Sequence, residues 1–142
     1  MKEIVQSIIE RENVPVECKG LRGLSYTNLC DGYEVITDQH KYLLLIDNDQ
    51  CCCEYWGYFA TNETDIGRYV GKELAEVRLT NTALDTVKLE NKGLEKEEIQ
   101  FVDFCFADGD VLQLAVYNSH NGYYGHGIYF IKDDVKLLDG CL

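Results

Sequence analysis

Two clusters of residues in this sequence carry side chains that could bind a metal or do chemistry. The first is the cysteine triplet Cys51–Cys53, which is followed directly by Glu54. The second is segment 117–126, in which two of the three histidines of the chain, His120 and His126, lie six residues apart. Cysteine and histidine are the usual zinc ligands, and a structural zinc site takes about four of them. If the two clusters meet in space, they form a Cys₂His₂ set.

The spacing of the cysteines limits this interpretation. Neighbouring residues on a regular strand point to opposite faces, so Cys51 and Cys53 would share a face that Cys52 does not. Two adjacent cysteines can bind one metal only where the chain bends, and the polar run at 47–50 favours a bend. The alternative is that the cysteines are small buried residues and the histidines are ordinary loop side chains.

The same clusters allow a catalytic alternative, a small metal- or thiol-dependent enzyme. A cysteine nucleophile needs a nearby base to form the thiolate, and His120 or His126 could be that base if the clusters meet. The sequence contains no nucleophile elbow, phosphate-binding loop, zinc-protease motif or dinucleotide fingerprint. We therefore expect a protein that is not an enzyme.

Hydrophobic periodicity predicts a helix at the start of the chain, over residues 2–12. Ile4, Val5, Ile8 and Ile9 fall on one stripe of such a helix, and polar residues take the opposite face.

The rest of the chain is predicted to be mostly strands. Residues 33–47 and 99–117 have the pattern of hairpins, and the second contains an Asp-Gly turn signal. The expected fold class is α+β, a mainly antiparallel twisted sheet with an N-terminal helix, in a single domain over residues 1–142. The other predicted elements are strands at 53–60, 73–80 and 127–131, an edge strand at 85–90 and a short turn at 66–69.

The chain is strongly acidic. Its 25 acidic and 13 basic residues give a formal net charge of −12. This charge argues against direct binding to nucleic acid, whose phosphates attract Lys and Arg. It is compatible with a basic protein partner, or with solubility alone. Residues 83–110 carry eight acids and three bases and form either a solvated face or a surface for contacts.

Cysteine usage and hydropathy indicate the compartment. The chain has seven cysteines, an odd number, and no apolar signal-like segment precedes them. No apolar run approaches the roughly 20 residues of a membrane span. We therefore expect a reducing bacterial cytoplasm and no membrane contact, with the cysteines outside the triplet in structural positions: Cys18, Cys30, Cys105 and Cys141.

The two clusters also carry a resemblance to known proteins. The residues Cys52–Glu54, the loop 117–126 with its H-N-G-Y-Y-G sequence, and the segment Ile66–Glu73 resemble an uncharacterised domain family common in phages, prophages and their hosts. The resemblance covers about residues 33–131. Through its size and acidity, the chain is also similar to the zinc-containing anti-CRISPR proteins that inhibit type II-A Cas9.

This second resemblance implies a function and a site. It implies a phage-derived inhibitor that binds Cas9 and blocks nucleic-acid loading or cleavage, with zinc as its cofactor. It assigns Cys52, Cys53, His120 and His126 as the zinc ligands, with Glu54 as an outer or alternative ligand. Cys51 is an extra cysteine, which leaves the register of the first two ligands open.

Overall fold

The computed structural model describes residues 2–50, 54–119 and 125–142, and within them the fold is built from antiparallel strands. The elements are β1 (Glu3–Lys19), β2 (Ser25–Thr37), β3 (Lys41–Asp47), β4 (Tyr55–Ala60), β5 (Glu73–Thr80), α1 (Val87–Lys92), β6 (Ile99–Phe106), β7 (Val111–Ser119), β8 (Gly127–Lys132) and β9 (Val135–Cys141), with 3-10 turns at Leu21–Gly23, Ile66–Tyr69 and Lys96–Glu98. The strand order in the sheet is β4-β7-β6-β5-β1-β2-β3-β8-β9. None of the helices in the described residues is long and apolar enough to cross a membrane.

The predicted N-terminal helix is wrong, and with it the α+β class, because these residues form the long strand β1. The register of β1 on β2 shifts between Val5 and Ser7, so Gln6 is an extra residue in the strand. This bulge turns both Val5 and Ile8 into the core, where they are 1% and 7% exposed. A strand with a bulge therefore reproduces the three-residue spacing of a helical stripe.

The sheet folds over at β1, and β4 and β9 are its two end strands. One half contains β4, β7, β6 and β5, the other contains β2, β3, β8 and β9, and β1 pairs with β5 only through Glu3 and Ile4. Because this join is narrow, the halves face one another across a shared apolar core. Tyr42 of β3 lies edge-on to Phe104 of β6, with ring centroids 5.7 Å apart.

The outer face of the second half is covered by the end of the β1–β2 hairpin. The register shifts again between Arg11 and Val14, and Asn13 takes a positive φ of 54°. Beyond this bend, the ribbon packs apolar side chains on β3 and β8. The hydroxyl of Tyr129 on β8 lies 3.1 Å from the Sγ of Cys18 and accepts a hydrogen bond from Asn28 Nδ2 at 3.1 Å.

The outer face of the first half is covered by residues 81–98. Leu89 and Leu94 pack against the cluster that contains Phe101 and Tyr117. The fully buried amide of Gln113 holds this segment, since it accepts from the Leu84 N–H at 2.9 Å and donates to the Thr82 carbonyl at 2.9 Å.

The edge strand predicted at 85–90 is wrong, because α1 occupies this position. Gly93 ends the helix in the left-handed conformation with φ 67°, and its N–H bonds the Glu90 carbonyl. The sequence 91–93, which is typical of a turn, therefore marks the end of a helix.

Both predicted hairpins are confirmed. β2 pairs with β3, and β6 pairs with β7, across the turn that contains Gly109 at φ 89°. The predicted strands at 53–60, 73–80 and 127–131 correspond to β4, β5 and β8, and the short turn at 66–69 is confirmed.

A substitution at Gly32 tests whether the bend of the β1–β2 ribbon depends on close backbone packing. A Cβ at Gly32 would lie 1.9 Å from the carbonyl oxygen of Leu44, which belongs to the backbone and cannot move aside. We expect Gly32→Ala to lower the free energy of unfolding by about 3 kcal/mol or more. The control is Gly140→Ala, whose new methyl group would meet side chains at 3.7 Å or beyond. Urea unfolding curves measure both, and equal stabilities of the two variants would contradict this account of the bend.

Candidate functional site

The structure describes one of the four predicted zinc ligands. His126 lies directly before β8 and its side chain is 2% exposed. Cys52, Cys53 and His120 lie outside the described residues, as does Cys51. The two motifs nevertheless meet in their described parts, because Glu54, which follows the cysteine triplet, contacts His126 across 72 positions of sequence.

Both nitrogens of the His126 ring are engaged. Nδ1 lies 2.5 Å from the carbonyl oxygen of Asp47 at the end of β3, and Nε2 lies 3.1 Å from Oε1 of Glu54. Trp56 of β4 stacks on the imidazole with ring centroids 5.4 Å apart and an interplanar angle of 28°. The Glu54 side chain is 0% exposed, so the pair is shielded from solvent.

We call this pair the Glu54–His126 junction. It is positioned by residues on or next to four strands and by Leu142. Glu54 precedes β4 in one half of the sheet, whereas Asp47 ends β3 in the other half. The backbone of His126 exchanges two 2.9 Å hydrogen bonds with Leu142. Asn118, which is buried on β7, donates to the Leu142 carbonyl at 3.0 Å. The junction therefore ties the two halves together at one end.

The contacts fix how protons are arranged in the junction. The carbonyl of Asp47 can only accept, so Nδ1 of His126 must carry a proton. Nε2 and the Glu54 carboxyl then share one further proton, on either the imidazole or the carboxylic acid. Both arrangements carry no net charge, and this is what a pair shielded from water requires.

The zinc prediction is wrong for the part of the chain that the structure describes. No group of three or more His, Cys, Asp or Glu side chains in residues 2–50, 54–119 and 125–142 could hold a metal ion. Among these residues His126 Nε2 lies beside the carboxyl of Glu54, and no third His, Cys, Asp or Glu side chain of the same ranges completes a metal site with this pair.

Gln50 and Trp56 are parts of the junction that the sequence analysis missed. Gln50 donates through Nε2 to the Glu54 carbonyl at 3.0 Å and accepts from the indole N–H of Trp56 at 2.8 Å. It thereby fixes the indole that stacks on His126. Neither residue has a motif of its own, since Gln50 lies in a polar run typical of a loop and Trp56 in an aromatic strand.

The segment Ile66–Glu73, which the resemblance singled out, anchors the start of β5. Tyr69 is fully buried and stacks on Phe106 with ring centroids 5.1 Å apart. Arg68 bonds Glu63 Oε2 at 2.5 Å and Asp110 Oδ2 at 3.0 Å, and Lys72 lies 3.1 Å from the same Asp110 oxygen. Arg68 and Lys72 therefore hold the β6–β7 turn against this segment.

The described cysteines are all free thiols. Cys18 and Cys30 are buried under the β1–β2 ribbon, as expected of structural residues, whereas Cys141 is exposed. Burial, with a smaller contribution from the nearby Asp47 carboxylate, raises the pKa of Cys30 to about 12. This thiol therefore stays protonated near neutral pH and does not act as a nucleophile.

Comparison with known proteins identifies the family of this chain. Residues 5–130 match DUF7448, described as a domain of unknown function. The chain belongs to this family. The matched residues include Glu54, His126 and the Ile66–Glu73 segment, so the junction lies within the family domain, whereas β9 and Leu142 lie beyond it. No curated protein and no solved structure matches the chain.

The Glu54–His126 junction makes a prediction about stability. Glu54→Ala leaves a buried imidazole nitrogen without its partner, and we expect it to cost about 3 kcal/mol. Glu54→Gln should cost only about 1 kcal/mol, because its amide N–H can donate to Nε2 while Nδ1 keeps its proton. Urea unfolding of both variants, of His126→Ala alone and of His126→Ala combined with Glu54→Ala measures the coupling. Equal costs for Gln and Ala would contradict the shared-proton arrangement.

The Arg68 network makes a prediction about acid stability. The hydrogen bond from Arg68, supported by two backbone N–H groups, lowers the pKa of Glu63 from 4.5 to about 2. Because the folded-state pKa is depressed, this group stabilises the fold above its usual pKa, and the contribution is lost as pH falls from 4.5 towards 2. Glu63→Gln should therefore give a shallower fall in melting temperature over that interval. Arg68→Gln removes the main hydrogen bond to the same carboxylate and should flatten the profile likewise, and a wild-type slope in both variants would contradict this account.

Proposed function

We propose that this protein is a non-enzymatic inhibitor that binds a basic nucleic-acid-binding protein through its acidic surface. The observation that carries this proposal is the arrangement of charges on residues 81–98. Their acidic side chains face solvent, because Asp85, Glu90, Glu95 and Glu97 are all exposed. The bases of the same segment, where the structure describes them, turn inward.

Two lysines show this inward turn. Lys88 Nζ donates to the carbonyl oxygens of Ala60 at 2.7 Å and Glu63 at 2.8 Å. Lys92 Nζ lies 5.3 Å from the ring centroids of both Phe59 and Tyr117. These contacts direct the two ammonium groups at the protein and leave carboxylates on the outside.

The other acids of the 83–110 stretch are used within the fold. Asp103 is 3% exposed, accepts from Gln113 Nε2 at 2.8 Å and lies 3.4 Å from Arg78 Nε. Asp108 and Asp110 are paired with Lys72 at 2.7 and 3.1 Å. The acidic surface that can meet a partner is therefore the part at 85–97, and the later acids stabilise the β6–β7 hairpin.

The resemblance to anti-CRISPR proteins supplies the identity of the partner in this proposal, type II-A Cas9. Such a nuclease carries basic surfaces for guide RNA and DNA. Exposed carboxylates of an inhibitor are attracted to these surfaces and can occupy the positions of the phosphates. The compartment would be the bacterial cytoplasm, where the free thiols of the described cysteines stay reduced.

A charge-reversal experiment tests the proposal. Glu90→Lys with Glu97→Lys changes the acidic surface without touching Asp85, whose carboxylate accepts from the Val87 N–H, or the reciprocal cap of Glu95 and Glu98. We expect the wild type to inhibit Cas9 cleavage at about one inhibitor per nuclease. The double variant should need about tenfold more protein, since each lost charge contact is worth up to about 1 kcal/mol.

The matched control is Glu17→Lys with Asp139→Lys, which changes the net charge equally through two exposed acids at the end of the β1–β2 ribbon and on β9. It should inhibit as the wild type does. Equal loss in both double variants would show that only total charge matters, and failure of the wild type to bind Cas9 would reject the partner. Inhibition by far fewer than one inhibitor per nuclease would instead favour the enzyme alternative.

A further inference from the structure

A cleft of about 370 Å³ opens between the two halves of the sheet, beside the acidic surface. Its walls include Tyr33 of β2 and Tyr58 of β4, whose rings meet edge-on with centroids 5.2 Å apart and an angle of 82°. Lys88 of α1 also lines it, so the cleft continues into the segment at 81–98. The position is one that a partner lying on the acidic surface could reach.

Glu10 sits at the mouth of this cleft and is its available carboxylate. It pairs in register with Tyr33 and follows Ile8 by two residues, so its side chain leaves β1 on the core-facing side. Glu10 is exposed and has no ion pair with another described residue. Its charge reaches both rings, since it adds to burial in raising the pKa of Tyr33 and of Tyr58.

The other charged groups of the cleft already have partners. Lys88 donates to two carbonyl oxygens, as described above, and the carboxylate of Glu63 is paired with Arg68 at 2.5 Å. Glu63 and Lys88 are half-buried in these contacts, whereas Glu10 is exposed, so the Glu10 carboxylate beside Tyr58 is the charge that a ligand would meet first.

We propose that this cleft binds the cationic end of a lysine or arginine side chain, and that it receives such a side chain from the basic partner of the proposed function. An ammonium or guanidinium group gains from a carboxylate and from tyrosine rings at the same time. An anion would be repelled by Glu10, whereas an apolar group would remove water from that carboxylate without replacing its hydrogen bonds. The Glu10 side of the cleft, away from the carbonyl-bound ammonium of Lys88, therefore favours a cation.

The test is a nuclear magnetic resonance titration of the full-length protein with arginine blocked at both ends, at constant ionic strength. We expect saturable shifts of the Tyr33 and Tyr58 ring signals. Blocked citrulline has nearly the same shape without the charge and should give no saturable shift. Equal binding of citrulline, or no saturable shift with arginine, would overturn the proposal.

Two variants locate the binding. Glu10→Gln and Tyr58→Leu should each weaken arginine binding by about three- to tenfold. The control is Glu97→Gln, which changes the net charge as Glu10→Gln does but lies outside the cleft, and it should bind as the wild type does. Amide spectra of each variant verify the fold. Equal weakening by Glu97→Gln would show a general charge effect and reject the cleft.

The outcome is separable from that of the proposed function, because the titration needs no Cas9. If blocked arginine fails to bind while the wild type inhibits Cas9, the cleft proposal fails and the proposed function stands. If blocked arginine binds through Glu10 while Cas9 is not inhibited, the cleft stands and the partner is rejected.

Discussion

The fold depends on β1, because two irregularities in this strand allow one sheet to bury both of its faces. The bulge at Gln6 turns Val5 and Ile8 into the core between the halves. The bend near Asn13 folds the rest of the strand over the outer face, where Val16 and Cys18 pack on β3 and β8. A regular strand of this length would leave one of these faces in water. The local breaks in the pairing of β1 therefore allow both faces of the sheet to be covered.

The Glu54–His126 junction closes the structure at the ends of β3, β4 and β8. At this end no strand pairing links the two halves, because among the described strands they are hydrogen-bonded to each other only through β1 and β5. A buried carboxyl and imidazole that share one proton are neutral as a pair, and they hold the two segments by a directional bond. Such a pair is costly to break, because each group would be left buried alone. The motif residues that the structure describes therefore serve in this position to hold the fold together.

The sequence allowed the hairpins and most strands to be predicted, because alternating apolar residues and an Asp-Gly turn act locally. The prediction of a helix at the N-terminus was wrong because a bulge in a strand gives the same spacing as a helical stripe. The prediction of a strand at 85–90 was wrong because contacts with the distant Phe101 and Gln113 hold this segment and α1 in place. At the site, the motifs indicated that distant segments matter, and Glu54 and His126 do meet. The contacts of the His126 ring with Asp47 and Glu54 could not be predicted, because they come from tertiary structure, which residue spacing does not encode.

The distribution of charge supports the proposal of a basic partner over the alternative that the charge only keeps the protein in solution. A net charge of −12 already weakens the compact state through self-repulsion. Mixing both signs on the surface would relieve that repulsion and still favour solubility. The described side chains of residues 81–98 do the reverse, because Lys88 and Lys92 turn to carbonyls and rings while Glu90 and Glu97 face water. A basic group bound there, as proposed, would relieve the repulsion that this arrangement leaves on the acidic surface and beside it at Glu10.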